Sequence, residues 1–436
     1  MTTAGLIGIG IFVLLMVLVF LGIPIWVSML GCSFLGFMLL GSFKLTLLQF
    51  TQAPFTTGAN YTYAVLPLFM LVGSLAGETG IAQGAFDAMN KWLCRVRGGL
   101  LYALVGANAV FGACSGISVA GNVVFCKIAM PELEKRNYDR KLSLGAIVGA
   151  GSLSSLIPPS VPIIIFCLMT DLSIGTTLMY GLSLGIIMII LLCLCIKVLT
   201  LFRPNKIPGK DQMERVPMKE KLKSLRYLIP FLLVFALIVG GTLTGLFPST
   251  VAGAVASIAL IIYSLIKKVP AKRIVHVVWD AAIMNAGIFP IIIAGSIFSR
   301  FMSMTGLADS LANVIAKAGF PALIVFTLVV IFYLICGCVM DIASIIVITV
   351  PIVFPLLTGL GYNAFVLCVV LVMLCDAAGM TPPIGMNVFA VANALRTGSG
   401  EIFKGVIPFF ILDVIAIFIC GLVPQIVEFL PHLMGY

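Results

Sequence analysis

Charge is what this chain most lacks. Of its 436 residues, 10% are Asp, Glu, Lys or Arg and 61% are hydrophobic. A soluble globular domain carries about a quarter of its residues as charges, so that class is excluded. Histidine is scarcer still: His276 and His432 read as isolated residues near membrane edges, without ligand partners for a metal. No G-x-x-x-x-G-K-[ST] occurs, so no P-loop cradles ATP. The 12 cysteines are scattered. The C-x-C pairs Cys193/Cys195 and Cys336/Cys338 have no second cluster, which leaves them as small packing residues. Short alternating segments of a β-barrel are missing. So are a basic n-region and a small-residue cleavage site, and no removable signal peptide is expected.

What is there is a series of long apolar runs between short polar loops, the pattern of an all-α polytopic membrane protein in a lipid bilayer. The net charge of +10 lies in those loops and reads as a positive-inside bias, with no nucleic acid as partner. Residues 5–42 are too long for one crossing and divide at Gly22-Ile23-Pro24. Residues 43–61 are expected as an outer loop, 62–80 as a span and 81–97 as an amphipathic helix in the interface. Residues 98–131 have basic clusters on both flanks, so they are expected to dip in and return as a re-entrant hairpin with a Gly- and Ser-rich tip at 112–122. A pair of ordinary spans is the alternative. A broken span at 142–168, a span at 176–197, a basic cytoplasmic linker at 203–226 and spans at 227–246 and 249–266 follow.

The second half repeats the first: a span at 276–299, a short helix at 306–318, a second long run at 320–355, a broken span at 362–394 and a last span at 402–423. Pro131 and Pro355 are 224 positions apart, as are Pro158 and Pro382. That is a duplicated bundle and not a solenoid period. The chain therefore divides into scaffold helices (1–61), a first repeat (62–200), the linker with further scaffold helices (201–275) and a second repeat (276–436). Placing every Lys and Arg except Lys44, Arg300 and Lys317 on the cytoplasmic side gives ten crossings, with both termini outside and the repeats inverted. Inverted repeats whose half-helices meet at the midplane are a secondary-transporter architecture.

Two stretches organise the repeats: Gly151-Ser152-Leu153-Ser154-Ser155-Leu156-Ile157-Pro158-Pro159-Ser160, and Asp376 through Thr381-Pro382-Pro383-Ile384-Gly385-Met386-Asn387. Proline removes a backbone donor and forces a helix open, and opened helices offer free carbonyls to ions. Hard cations want oxygen. Ser115, Ser118, Gly151, Ser154 and Pro158 are candidates for one Na+ site, and Gly337, Asp341, Gly379, Met380 and Pro382 for a second. The plainer reading is that these small residues let helices pack closely. Intramembrane acids are costly: Asp341 sits at a hairpin tip, Asp376 precedes a break as a bracing or coupling group, and Asp413 stands alone. An aspartyl protease dyad of Asp341 and Asp376 explains neither the duplication nor the breaks. Gly116-Ile117-Ser118-Val119-Ala120 lacks the final glycine and the histidine of a nucleophile elbow. No enzyme is indicated. A proton-coupled carrier and a passive anion channel remain as alternatives.

These residues carry a family resemblance. Leu66-Pro67-Leu68-Phe69 with Gly73, Gly98-Gly99, Gly112 through Ala120, the first Pro-Pro stretch, Met340-Asp341 and Thr381 through Gly385 resemble the large membrane subunit of TRAP (tripartite ATP-independent periplasmic) transporters, the DctM-like family. The resemblance covers nearly the whole chain. It implies a Na+-coupled, elevator-type importer of an organic acid such as a C4-dicarboxylate, sialic acid or sugar acid. It also implies a bacterial inner membrane, a small four-helix membrane subunit and a periplasmic substrate-binding protein as partners, and no ATPase subunit. The substrate pocket between the tips would take in Ser115, Asn122, Ser160, Thr381 and Asn387. The chain departs from the family at Ile117, where serine is usual, at Ser154, where glycine is usual, and at Asp376, where glutamate is common.

Overall fold

The computed structural model describes residues 3–41, 43–202, 207 and 216–435; most of the expected linker lies outside them. The described residues are helical, with no strand among them. The chain opens with α1 (Thr3–Phe20) and α2 (Ile25–Leu40), which pack together, as Gly22 and Pro24 require. Residues 43–58 are not a loop. They form α3 (Phe43–Gly58), whose Thr46, Ala53 and Thr57 are buried. Thr57 Oγ1 lies 3.1 Å from Ser296 Oγ, and Arg300 donates to Gln49 and Thr56. Of the polar residues that suggested a loop, Thr46 and Thr57 are buried and Gln49 and Thr56 meet Arg300, while Thr51 and Gln52 stay exposed.

The first repeat runs α4 (Val65–Glu78), α5 (Ile81–Leu93), α6 (Gly99–Ser115), α7 (Ser118–Lys135), α8 (Arg140–Gly151), α9 (Leu153–Leu156), α10 (Val161–Thr170) and α11 (Ile174–Phe202). Between the repeats lie α12 (Met218–Ser224), α13 (Ile229–Phe235), a π-helical turn at Ala236–Gly240, α14 (Gly241–Leu243) and α15 (Ser249–Ile266). The second repeat runs α16 (Ala271–Thr305), α17 (Leu307–Ala318), α18 (Ala322–Gly337), α19 (Ile342–Gly359), α20 (Ala364–Ala378), α21 (Met386–Leu395) and α22 (Ser399–Leu422), with α23 (Gln425–Leu433) closing the chain.

The duplication is visible element by element. From α5 and α17 onward, corresponding helices begin 223 to 226 residues apart. Even the caps match. Asp139 accepts from Leu142 N at 2.9 Å to start α8, and Asn363 accepts from Phe365 N at 2.9 Å to start α20. Such caps satisfy amides that the first turn leaves free. Gly80 and Gly306, the paired glycines before α5 and α17, both have positive φ.

Packing between the repeats is reciprocal. Helix α7 lies against α8 and against α21 of the other half; α19 lies against α20 and against α10 of the other half. Phe166 and Phe354 meet edge to face at 5.6 Å across that second contact. Within the hairpins, Phe111 stacks edge to face on Phe125, and Thr349 Oγ1 pairs with Tyr333 Oη at 2.6 Å. An aromatic pair of this kind is worth about 0.5–1.5 kcal/mol beyond its buried area. Helix α22 buries α8 through a glycine contact: a Cβ at Gly145 would lie 2.0 Å from Gly405 O. Small residues let backbones approach this closely in a bilayer.

By length and composition, eight described helices are able to cross a membrane, or nine with the bent pair α8–α9 and α10 counted as one. Against the ten crossings expected above, this tally loses α2 and α20, which are shorter than the test requires, and gains α19. Helix α19, inside the second expected hairpin, passes the test; α6 and α18 are shorter apolar helices. His276 is not isolated. Its Nδ1 is 2.9 Å from Asp280 Oδ2, an i,i+4 pair on an exposed face.

Candidate functional site where two broken helices meet

The chain breaks where proline dictates. Ile157 turns extended before Pro158, as the residue before a proline prefers, and α9 ends. The Pro158–Pro159 and Pro382–Pro383 bonds are both cis. Helix α10 restarts at a 42° bend, with Ser160 Oγ accepting from Ile163 N at 3.3 Å. In the second break α20 ends at Ala378, and Gly385 at positive φ turns the chain into α21.

Each hairpin tip sits in the break of its own repeat. Gly116, at the tip between α6 and α7, accepts a hydrogen bond from Val161 N at 3.1 Å. A Cβ there would lie 2.1 Å from Pro159 O, and its φ of +64° disfavours side chains besides. In the second repeat a Cβ at Gly337 would lie 2.2 Å from Ala378 Cβ, while Cys338 Sγ donates to Pro382 O at 3.0 Å. Thr381 Oγ1 donates to Ala378 O at 2.6 Å and lies 3.5 Å from Cys338 Sγ. Met380 is buried, and its amide donates to Ala377 O.

The two breaks are joined to each other. Asp376 is fully buried near the end of α20. Its carboxylate accepts from Ser155 Oγ of the first break at 2.6 Å and from Asn387 Nδ2 of α21 at 2.6 Å. Asn387 Oδ1 lies 3.5 Å from Ser118 Oγ at the start of α7, and Asn387 N donates to Gly379 O at 3.1 Å. One carboxylate therefore ties the first break, the second break and the first hairpin together. Buried acceptors left without donors cost about 1–3 kcal/mol each, so the network favours this meeting of the halves.

The first-site candidates divide. Ser118 faces Asn387 and the junction. Ser154 Oγ is buried without a partner among the described residues, as is Ser115 Oγ. Gly151 faces Asn122: a Cβ there would lie 1.9 Å from Asn122 Oδ1. Ser160 donates to Ser155 O as well as capping α10, so its hydroxyl is committed to backbone. At the second site Asp341 takes the N-cap position of α19, half-buried, and accepts from Ser344 Oγ. Sequence reasoning missed Asn108 and the role of Ser155. An asparagine inside an apolar helix was a signal for the first. The second depends on which way a four-residue helix faces.

The geometry also sets helix ends against one another. The C-terminal ends of α6, α9, α18 and α20 and the N-terminal ends of α7, α10, α19 and α21 gather around the two breaks. Helix C-termini carry partial negative charge and N-termini partial positive charge, so one region offers oxygen to cations and N–H groups to anions.

Relatives agree on the family. The profile described as "Tripartite ATP-independent periplasmic transporter, DctM component" matches residues 12–426. The C4-dicarboxylate TRAP transporter large permease protein DctM of Pseudomonas aeruginosa is 27% identical, covering 87% of this chain and 88% of its own. The 2,3-diketo-L-gulonate TRAP transporter large permease protein YiaN of Escherichia coli is 25% identical, covering 90% and 91%. Among solved structures, the YdaH transporter of Alcanivorax borkumensis superposes with a TM-score of 0.59 at 15% identity over 87% of this chain and 88% of that one, a likeness of fold alone. The chain is not an enzyme: it belongs to the DctM family of TRAP transporter large permeases.

Proposed function

We propose that this chain is the Na+-coupled permease of a three-component importer of an organic acid. A periplasmic binding protein delivers the solute, and a small four-helix membrane subunit braces the permease in a bacterial inner membrane. The observation that carries the reading is the Asp376 junction, where a buried carboxylate holds both broken helices and the first hairpin tip as one body. A body held that way moves as a unit against the surrounding helices, which is what an elevator cycle with inverted repeats and two re-entrant hairpins requires.

Cations would bind at the tips. Ser115, Ser118, Gly151, Ser154 and Pro158 belong to the first site; Gly337, Asp341, Gly379, Met380 and Pro382 belong to the second. The organic anion would lie against the helix N-termini between them, near Asn122, Thr381 and Asn387. The carboxylated solutes in the relatives' names, C4-dicarboxylate and 2,3-diketo-L-gulonate, support the substrate class. Both chain termini would lie on the periplasmic side.

The test is uptake into proteoliposomes holding all three components, with an imposed Na+ gradient and a panel of carboxylates. Saturable, Na+-driven uptake with trans-stimulation is expected. Uptake driven only by a pH gradient would make the carrier proton-coupled. Linear flux without counterflow would make it a channel.

A further inference from the structure

Away from the breaks and hairpins, on the side that a positive-inside reading makes cytoplasmic, a groove of about 440 Å3 opens between the start of α13 and the end of α15. It is lined by Arg226, Tyr227, Tyr263 and Lys267, with Ile229 and Pro230 as its apolar part. The two cations come from different segments and are held alike. The Arg226 guanidinium lies over the Tyr227 ring, 5.0 Å from its centroid, and donates to the Tyr227 hydroxyl at 3.0 Å. Lys267 Nζ lies over the Tyr263 ring at 5.6 Å. A ring face fixes the place of a positive charge without neutralising it. Neither cation has a carboxylate partner among the described residues, whereas Arg140 and Arg273 are paired with Glu134 and Glu78. Asp87 and Glu220, the nearby acids, line a second pocket that shares Tyr227. Two unpaired cations about one opening suit an anion.

The surroundings say which anion. Helix α13 belongs to a stretch, Met218–Gly240, that is long and apolar enough to cross a membrane, and α15 is another such span. Leu232 and Leu233 of α13 and Ile262 and Leu265 of α15 are exposed. The groove therefore joins charge at one end to open apolar surface on both helices. A soluble phosphate uses only the charge. A phospholipid uses both, and basic pockets between spans hold anionic head groups in this way. The plainer reading is that Arg226 and Lys267 snorkel to the interface as anchors. That accounts for the charges, but not for an opening between them with each charge set over a ring at its edge.

We propose that Arg226 and Lys267 bind the phosphodiester of an anionic phospholipid, with Tyr227 and Tyr263 beside it and the acyl chains along α13 and α15. The site touches the transport machinery through α5. A Cβ at Gly84 would lie 3.0 Å from Tyr227 Cβ, and Trp92 Nε1 donates to Lys221 O at 3.1 Å. Helix α5 in turn packs along α6, the first arm of the first hairpin. A lipid in the groove thus braces the helix that leads into that hairpin. The proposal requires α13 and α15 to lie in the bilayer and is independent of which ion or solute is carried.

Native mass spectrometry of the purified full-length chain counts the lipids that survive detergent exchange, with phosphatidylglycerol offered against phosphatidylcholine of the same acyl chains. Wild type is expected to retain phosphatidylglycerol over phosphatidylcholine by about tenfold or more. Arg226→Gln/Lys267→Gln is expected to lose that preference. Lys268→Gln/Lys272→Gln removes the same charge outside the groove and is expected to keep it. An unchanged preference in the first double variant overturns the inference, and so does an equal loss in both, which would make the effect one of net charge. Glycerol phosphate, the head group without chains, is expected to leave the lipid in place at equal concentration. Displacement by it would give the groove to a soluble phosphate, and release of lipid on adding the small membrane subunit would give it to that protein. Ile229→Trp fills the groove and leaves both cations, and is expected to lose the bound lipid. Should the charge variants fail to fold, full retention by Ile229→Trp overturns the inference.

Discussion

The two breaks are built from one plan and differ in what surrounds them. Residues 151–160 of the first are buried throughout, whereas Pro382, Pro383 and Ile384 of the second are exposed. The first break presents neutral hydroxyls and amides; the second has Asp341, half-buried, on the facing hairpin. On the proposed reading, the buried first break would hold a cation with neutral dipoles already in place beside the Asp376 junction, while a break open on one side would tolerate the Asp341 carboxylate. The two breaks share a backbone plan, and their side chains differ.

The largest effect expected is at the group that joins them. Asp376→Ala removes the carboxylate shared by Ser155 and Asn387 and leaves each with a backbone acceptor alone, Ser152 O and the carbonyl of residue 376. The cost is about 1–3 kcal/mol of stability, and transport should be lost. Asp376→Asn should fail as well, because one amide face presents donors where two donors already point. Melting of the purified chain alongside uptake checks this. Normal uptake by Asp376→Ala would mean that the halves do not need that tie.

Next in size is Asp341→Ala. Expression should be unchanged, because the side chain is half-exposed and, among the described residues, its side-chain hydrogen bond is to Ser344. The Na+ concentration for half-maximal uptake should rise by about tenfold or more, about 1.4 kcal/mol. Normal sodium dependence in that variant would remove Asp341 from the second site. It would also leave the contrast between charged and neutral sites without support.

Much of this plan was legible in the sequence, for reasons that can be named. Proline acts locally, so Pro158 and Pro382 mark where both spans break, although α20 already ends at Ala378. The offset between halves needed only the prolines and Gly80/Gly306, and the helices keep it. The Asp139 and Asn363 caps are local signals of the same kind. Other features were not local. Helix α3 reads as a polar loop, and only the fold reveals that its Gln49, Thr56 and Thr57 meet Ser296 and Arg300 of α16. Ser154 and Ser155 are neighbours in sequence, yet one turns into the first hairpin and the other crosses to Asp376. Nothing in composition or spacing separates them. Asn122, expected near the substrate by its position at the tip, also lies against Gly151, a contact that spacing alone does not reveal.

The difference in exposure predicts a difference in chemical access. Cys338 is half-exposed at the second tip, its Sγ 3.0 Å from Pro382 O, whereas Cys114 at the first tip is buried. A small membrane-impermeant thiol reagent should modify Cys338 and spare Cys114, read by mass spectrometry of the labelled peptides. If the two breaks travel together, Na+ and substrate should slow the labelling of Cys338 by moving it or closing the break around it. Equal modification of both cysteines would erase the contrast.

The smallest effect expected is the most selective. Ser160 and Gly385 stand at corresponding places, 225 positions apart, and each starts the helix after its break. One does so with a side-chain cap and the other with a left-handed backbone. Ser160→Ala should cost about 1 kcal/mol, as loss of an N-cap does. The KM for the transported acid should stay where it is, because both functions of the hydroxyl are spent on Ile163 N and Ser155 O. A raised KM at unchanged stability would mean that the hydroxyl leaves the backbone to meet the substrate during the cycle. Ser160 would then belong to the pocket, and the first break would open as the second is open now.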